Sequence, residues 1–364
     1  MQQYYVDILI TFIISILLSA ASTPIVRMIA LKIGAIDVPD DARRIHKEPI
    51  PKLGGLAMVI GFTGGMLVNY LFKYMGVTKY FIMDKDRIGF FLAIFVITVM
   101  GFLDDKFDIK ARYKLIFQFV AAVMIVTTDL RIKMISNPFG DHEAIVLNNF
   151  VSYAITIIWI MALINAFNFI DGLDGLSAGV ACIASFSLFI IAIIFNRYDG
   201  AVLTIAVTGA TLGFLPYNFN PAKIFMSDIG SNFLGLVIGV ISLTDAVKTY
   251  AAITITIPVL VLAIPLMDTT FAIIRRMRNK QSPMVADRGH FHHKLLDSGI
   301  SHRKVVLLFY SISALLGSVA VATALKDKTI PMIFLIIFAI IFSIISILCK
   351  FDIDKSNNND DNKG

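Results

Sequence analysis

The stretch Asn165-Ala-Phe-Asn168-Phe-Ile-Asp171-Gly-Leu-Asp174-Gly-Leu-Ser177-Ala-Gly179 gathers two carboxamides, two carboxylates and three glycines between two apolar runs, Tyr153 to Leu163 and Val180 to Phe195. Acids left at the boundary of a membrane span are costly to place, and such residues mark functional sites. Gly172 and Gly175 allow a sharp turn and the close approach of a ligand. A polar turn facing water is the plain alternative. The density of acids, amides and glycines favours a ligand pocket.

Three further polar clusters carry chemistry of the same kind. Asp104-Asp105 ends an apolar run in Gly101-Phe-Leu-Asp-Asp-Lys106. Adjacent side chains diverge on a helix, so one acid can face a metal or reacting group while the other orients a lysine or a backbone group. Acids at a helix C-terminus also oppose the macrodipole, an unfavourable placement that points to function. Asp228, in Phe225-Met-Ser-Asp-Ile-Gly230-Ser-Asn232, stands before the next apolar run. There it is either a helix N-cap or a hard oxygen ligand for magnesium beside phosphate oxygens. The last cluster is Asp287-Arg288-Gly-His290-Phe-His292-His293-Lys294. Its histidines invite zinc, but no cysteine is near to complete a tetrahedral set. With Arg288 and Lys294 beside them, an anion-binding loop for phosphate is the better match.

The elements that must position these residues are membrane helices. Of the 364 residues 57% are hydrophobic and 16% charged, and the mean hydropathy is +0.79, far from the balance of a soluble domain. Windows of about 20 apolar residues predict spans near 6–28, 54–74, 88–103, 113–128, 150–168, 176–195, 200–217, 230–246, 250–273, 304–324 and 329–349. The expected fold is therefore an all-α integral membrane protein of roughly eleven transmembrane helices. Residues 1–351 form one polytopic catalytic domain and 352–364 a disordered tail. The first run lacks a basic leader and continues through Pro24, which reads as an uncleaved span rather than a signal peptide.

Most of the 32 Lys and Arg residues fall in or beside the loops near 29–53, 104–112, 169–175, 218–229 and 274–303 and in the tail. The positive-inside rule then puts the N-terminus outside and the C-terminus in the cytoplasm. Every acid and histidine cluster lands on that cytoplasmic face, together with the Asp40 to Lys47 segment, so a single composite active site is expected. The net charge of +6 is assigned to topology and anionic lipid rather than to nucleic acid. Cys182 and Cys349 lie in or at the end of apolar runs, which favours neither a disulfide framework nor a metal site. The outer stretch Asp129 to Asn149 alternates apolar residues around Pro138-Phe-Gly140, as a small hairpin or interfacial segment would. Gly61/Gly65, Gly209/Gly213 and Gly235/Gly239 have the spacing of close helix contacts.

In the order FLDD, NAFNFIDGLDGLSAG, NPAKIFMSDIGS and DRGHFHHKLLDSG, these pieces resemble the polyprenyl-phosphate N-acetylhexosamine-1-phosphate transferases of glycosyltransferase family 4, over essentially all spans. The resemblance implies a phosphotransferase that moves a sugar phosphate from a UDP-sugar to a lipid phosphate and releases UMP. It implies that Asp228 and Asn168 hold Mg²⁺, with Mn²⁺ as a chemical substitute. Asp171 and Asp174 match residues lining a uridine pocket, and Phe225 matches one packing on the base. Lys114 matches a lysine near the phosphates, and His290, His292 and His293 match the histidine motif. Asp104 and Asp105 match the acidic pair of the lipid-phosphate chemistry. Lys47, Asn165 and Arg288 complete the expected substrate contacts.

The implied partners are a UDP-sugar, a polyprenyl phosphate and membrane lipid, with no nucleic acid; a homodimer is compatible with them. The implied location is the bacterial plasma membrane. The branch that uses the muramoyl pentapeptide donor resembles a Pro-Leu-His-His-His pattern, whereas His290-Phe-His-His is similar to enzymes that use UDP-N-acetylglucosamine. A transporter is the rival from another class. It would place polar groups at mid-membrane, often within repeats, but the acids here sit at span ends and no repeat is visible. A pure lipid-binding scaffold has no need of acids from four loops.

Overall fold

A computed structural model describes residues 2–38, 49–78, 84–128, 130–136, 144–243, 259, 261–278 and 291–325. The helices in it are α1 (Gln2–Ile33), α2 (Gly54–Tyr74), α3 (Lys85–Phe107), α4 (Ala111–Val126), α5 (Asn149–Ile170), α6 (Leu176–Ile194), α7 (Tyr198–Asn218), α8 (Ser227–Leu243), α9 (Ala263–Arg278), α10 (Phe291–Asp297) and α11 (His302–Ala324). Two short hairpins interrupt them: β1 (Ile36–Asp37) with β2 (Ile50–Pro51), and β3 (Met134–Ser136) with β4 (Ala144–Val146), both antiparallel.

Seven of these helices, α1, α2, α3, α5, α6, α7 and α11, are long and apolar enough to cross a membrane. In hydrocarbon the backbone must satisfy its own hydrogen bonds, which is why apolar runs of this length fold as helices. The chain is thus a mostly helical, multi-pass membrane protein. The α4 and α8 helices, of 16 and 17 residues, are shorter. The expected spans at 6–28 and 54–74 fall on α1 and α2, and Pro24 sits inside an unbroken α1. The span at 329–349, the start of the one at 250–273 and the 352–364 tail lie outside the described residues.

Packing follows the small residues. The α1 helix lies against α2 and α7, α5 against α8, and α3 against α4 and α8. A Cβ on Gly61 would lie 2.7 Å from Ser19 Cβ, and one on Gly209 2.8 Å from the Phe12 carbonyl. A Cβ on Gly213 or Gly235 would run into the Ile16 carbonyl or the Ile164 backbone. The three spaced glycine pairs are therefore helix-contact surfaces, as their spacing predicts.

Two loops are stitched together to bring helix starts side by side. Phe225 N–H donates to the Pro51 carbonyl, Gly54 N–H to that of Phe225 and Gly55 N–H to that of Met226, each at 2.9 Å. The first turns of α2 and α8 then touch backbone to backbone, and a Cβ on Gly55 would overlap Gly230. On the other side of α8, a Cβ on Gly101 of α3 would lie 2.7 Å from Ile229 N. Three helices converge on one point because glycine stands at each contact. The β3–β4 hairpin in the stretch 129–149 has the form its alternation predicts.

Candidate functional site

The ends of α3, α4, α5 and α8 bring Asp104, Asp105, Lys114, Asn168 and Asp228 into one cluster. Lys114 reaches from the first turn of α4 and places Nζ 2.5 Å from Asp104 Oδ2 and 2.7 Å from Asp228 Oδ2. Asn168, in the last turn of α5, donates from Nδ2 to Asp228 Oδ1 at 2.9 Å and to Ser231 Oγ at 3.0 Å. Both oxygens of Asp228 are thus engaged, by a lysine and by an amide.

The neighbouring aspartates divide their work, as divergent side chains on one helix must. Asp104 Oδ1 accepts the Ile109 N–H at 3.1 Å and tightens the turn between α3 and α4. Asp105 faces the other way, toward the start of α8. Its Oδ1 accepts the Ser227 hydroxyl at 2.5 Å and the Asp228 N–H at 3.1 Å, and its Oδ2 accepts the Ile229 N–H at 3.5 Å. This settles one of the alternatives left open for Asp228. The α8 helix begins at Ser227, one turn earlier than its apolar run, and its free N–H groups are met by Asp105 from α3. Asp228 lies inside the first turn and is released from capping.

Oxygens of Asp104, Asp105 and Asp228 all lie within 4.8 Å of one another. Three carboxyl groups lie beside the Lys114 ammonium, so the cluster gathers more acids than bases. Its donors are oxygens only, with no thiol or imidazole among the described residues of the cluster. Such a set suits a hard divalent cation. Asn168 has committed its amide nitrogen, which leaves its carbonyl oxygen for a ligand.

The glycine turn between α5 and α6 lies beside this cluster. Burial and the neighbouring Asp228 and Asp105 carboxylates push the Asp171 carboxyl well above the ordinary carboxylate range, with the Ser227 N–H offsetting part of the effect. Gly175 takes a left-handed conformation (φ 79°), and its N–H is accepted by Asn218 Oδ1 at 3.0 Å. Its carbonyl takes the Tyr310 hydroxyl of α11 at 2.5 Å. Asp174 Oδ2 accepts Asn220 Nδ2 at 2.9 Å and the Ala222 N–H at 3.1 Å, bracing the loop that leads to Phe225. Phe225 is half-buried on that loop. Asn165 turns to the layer behind the cluster, where Nδ2 donates to Gln118 Oε1 at 2.9 Å and to the Met161 carbonyl at 2.7 Å.

Gln118, Asn218 and Tyr310 were not singled out from the sequence. A single polar residue in an apolar run carries no periodic signal, and their partners lie far along the chain. Lys47, Arg288 and His290 lie outside the described residues. His292 and His293 stand on α10, whose backbone is described at those positions.

Residues 87–246, which hold every residue of the acid cluster, match the model of glycosyl transferase family 4. Over 336 residues the chain is 39% identical to the probable undecaprenyl-phosphate N-acetylglucosaminyl 1-phosphate transferase of Bacillus subtilis (strain 168), covering 92% of this chain and 90% of that protein. It is 33% identical to the decaprenyl-phosphate N-acetylglucosaminephosphotransferase of Mycolicibacterium smegmatis, over 89% of this chain and 84% of that one. It is 30% identical to the undecaprenyl-phosphate alpha-N-acetylglucosaminyl 1-phosphate transferase of Escherichia coli O157:H7, over 87% and 84%. The chain belongs to glycosyltransferase family 4 and is an enzyme embedded in the membrane.

Proposed function

We propose that the chain transfers N-acetylglucosamine 1-phosphate from UDP-N-acetylglucosamine to undecaprenyl phosphate and releases UMP, the first membrane step in building a cell-envelope polymer such as teichoic acid or O-antigen. The observation that carries this reading is Lys114 bridging Asp104 and Asp228, with Asn168 on the far side of Asp228. A cation already sits between two acids where a diphosphate and its counter-ion would be held. The names of the relatives supply the donor and the lipid.

An oxygen of the lipid phosphate attacks the β-phosphorus of the donor. The bond from that phosphorus to the bridging oxygen breaks, and UMP leaves with the oxygen and its electron pair. Positioning and charge neutralisation dominate catalysis of this type. Asp228 and the Asn168 carbonyl would hold Mg²⁺, which when bound supplies charge neutralisation on the diphosphate oxygens. Lys114 turns from its carboxylates to a phosphate oxygen. Asp104 faces the acceptor phosphate, and Asp105 keeps the start of α8 in place. Asp171 and Asp174 border the nucleoside with Phe225 at the base, while Lys47, Arg288, His290, His292 and His293 supply anion contacts.

The finer topology belongs to the same proposal: roughly eleven spans, the N-terminus outside, and the site on the cytoplasmic face, where UDP-sugars are found. A cysteine at position 280 should then be labelled only once the cytoplasmic side is opened, and one at 137 in intact cells. Labelling of 280 from outside would overturn that placement.

The function itself is tested by UMP release from purified protein with undecaprenyl phosphate in detergent. UDP-N-acetylglucosamine should be turned over far faster than the UDP-muramoyl pentapeptide. Equal rates, or a preference for the pentapeptide, would move the chain to the peptidoglycan branch. Loss of turnover on chelation, restored by Mg²⁺, checks the metal.

A further inference from the structure

Behind the acid cluster lies a second polar layer, one helical turn (about 5.4 Å) deeper in the helix bundle. Each of three helices contributes to both layers from the same face. The α4 helix carries Lys114 and then Gln118, α8 carries Asp228 and then Asn232, and α5 carries Asn168 and, one turn back, Asn165. Residues three or four apart lie on one side of a helix, so the two layers are stacked.

The deeper layer is a one-way chain of amides. Asn165 Nδ2 donates to Gln118 Oε1 at 2.9 Å, Gln118 Nε2 donates to Asn232 Oδ1 at 3.1 Å, and Asn232 Nδ2 donates to the Asp228 carbonyl at 2.7 Å. Gln118 is 3% exposed and Asn232 1%. The chain therefore ends on the backbone of the residue whose side chain Lys114 and Asn168 hold. Gln118 stands at its centre because a carboxamide accepts on one side and donates on the other. A glutamate there would set an oxygen against Asn232 Oδ1, and a methionine would offer neither bond.

We propose that Gln118 is a positioning residue, fixing the rotation of α4 so that Lys114 returns to Asp228 after each turnover. The α4 helix packs on α3 and α5. Among the described residues, its side-chain bonds to α8 are those of Lys114 and of Gln118. Lys114 commits two of its three N–H donors to Asp104 and Asp228, and a phosphate that draws the lysine off them loosens its hold on α8. Gln118 then keeps α4 in register with α8 while the lysine is away. This inference rests on the proposed phosphotransferase reading for the role of Lys114, but the amide chain itself does not.

Three readouts test it in detergent-purified full-length protein: UMP release, the Mn²⁺ concentration that half-saturates the substrate-free protein, and Tm. Loss of groups that orient a metal ligand typically lowers affinity or activity by 10–100-fold. Gln118→Met should lower turnover by about tenfold or more, and weaken Mn²⁺ binding by about tenfold. The double variant Gln118→Leu with Asn232→Leu removes both partners of the buried Gln118–Asn232 bond, while the part-buried Asn165 keeps its bond to the Met161 carbonyl, so that the Tm recovers toward the parent. Turnover should stay low all the same, because register is still lost. A double variant with parental Tm and parental turnover shows that Gln118 serves stability alone and overturns the proposal. Parental turnover and Mn²⁺ affinity in folded Gln118→Met overturn it equally. Failure of both variants to fold also counts against it, since the layer would then be a requirement of folding. A parent that releases no UMP sinks the function reading instead, and the Mn²⁺ arm still judges the layer.

Discussion

Two interiors of this molecule bury polar groups in opposite ways. Along the seam of α1 with α2 and α7, serines and threonines bond to backbone carbonyls. Thr23 Oγ1 donates to the Ser19 carbonyl and Ser19 Oγ to the Ala210 carbonyl, both at 2.7 Å. Glycines face those serines, and the helices nearly touch. Where α3, α4, α5 and α8 meet, α3, α4 and α8 supply charged side chains, α5 supplies an amide, and bonds run from side chain to side chain. The seam is held by close helix contacts and short bonds to backbone, so these residues serve stability. The acid cluster holds three carboxylates against one lysine. Crowding three acids in one buried place is costly, and a bound cation would relieve that cost. Stability and chemistry are therefore separable by region.

The largest effect should come from Asp228→Asn. The start of α8 is capped by Asp105, so this variant keeps its helix and its Tm. It loses the charge that Lys114 and a divalent cation both need, and turnover should fall a hundredfold or more, as expected from the several kcal/mol a Lewis-acid metal contributes. Near-normal turnover at low Mg²⁺ would move the metal to Asp104 and Asp105. Asp105→Ala should break the separation between regions. It strips acceptors from Ser227, Asp228 and Ile229 together. Both Tm and turnover should drop, the stability by about 1–3 kcal/mol for the donors left unpaired. An Asp105→Ala enzyme that loses turnover at parental Tm would make Asp105 a reacting group rather than a cap.

Gly213→Ala belongs to the other region. Its Cβ would run into the Ile16 carbonyl of α1, and overpacking of this kind costs about 1–3 kcal/mol. The Tm should fall while turnover per folded molecule stays at the parental value. Loss of turnover without loss of Tm would show that the seam communicates with the site.

The helices were legible in the sequence because hydrocarbon leaves the backbone so little choice. Apolar runs of about 20 residues placed seven of the spans near their observed limits. The start of α8 was set late, since Ser227 to Asn232 look like a loop until the cap from α3 is seen. The acids were legible as a set, because charge at a span end is rare enough to notice, and the divergence of Asp104 from Asp105 followed from helix geometry alone. Lys114 entered only through family resemblance, as a lysine near the phosphates, and its pairing with the acids is seen only in the structure. Gln118 was not legible at all. Its partners lie 47 and 114 residues away, and a lone amide in an apolar helix has many meanings until its neighbours are known.

The smallest effect is the most exacting for the contrast between the two regions. Ser19 Oγ donates to the Ala210 carbonyl across the α1–α7 contact, and both groups are buried. If polar atoms in the seam serve only to hold helices together, Ser19→Ala should cost what an average side-chain bond between membrane helices is worth, about 0.6 kcal/mol. The Ala210 carbonyl keeps its own place in the α7 hydrogen-bond ladder, so the loss leaves no orphaned backbone group. The smaller side chain also eases the approach of Gly61 and Gly213, which would be 2.7 and 2.9 Å from the serine Cβ if each carried one of its own. The expected result is a Tm slightly below the parent with unchanged turnover and unchanged Mn²⁺ affinity. A fall in turnover beyond twofold would mean that α1 transmits its position through α7 and the Asn218 contact at Gly175 to the nucleoside side of the site, and the two regions would have to be treated as one.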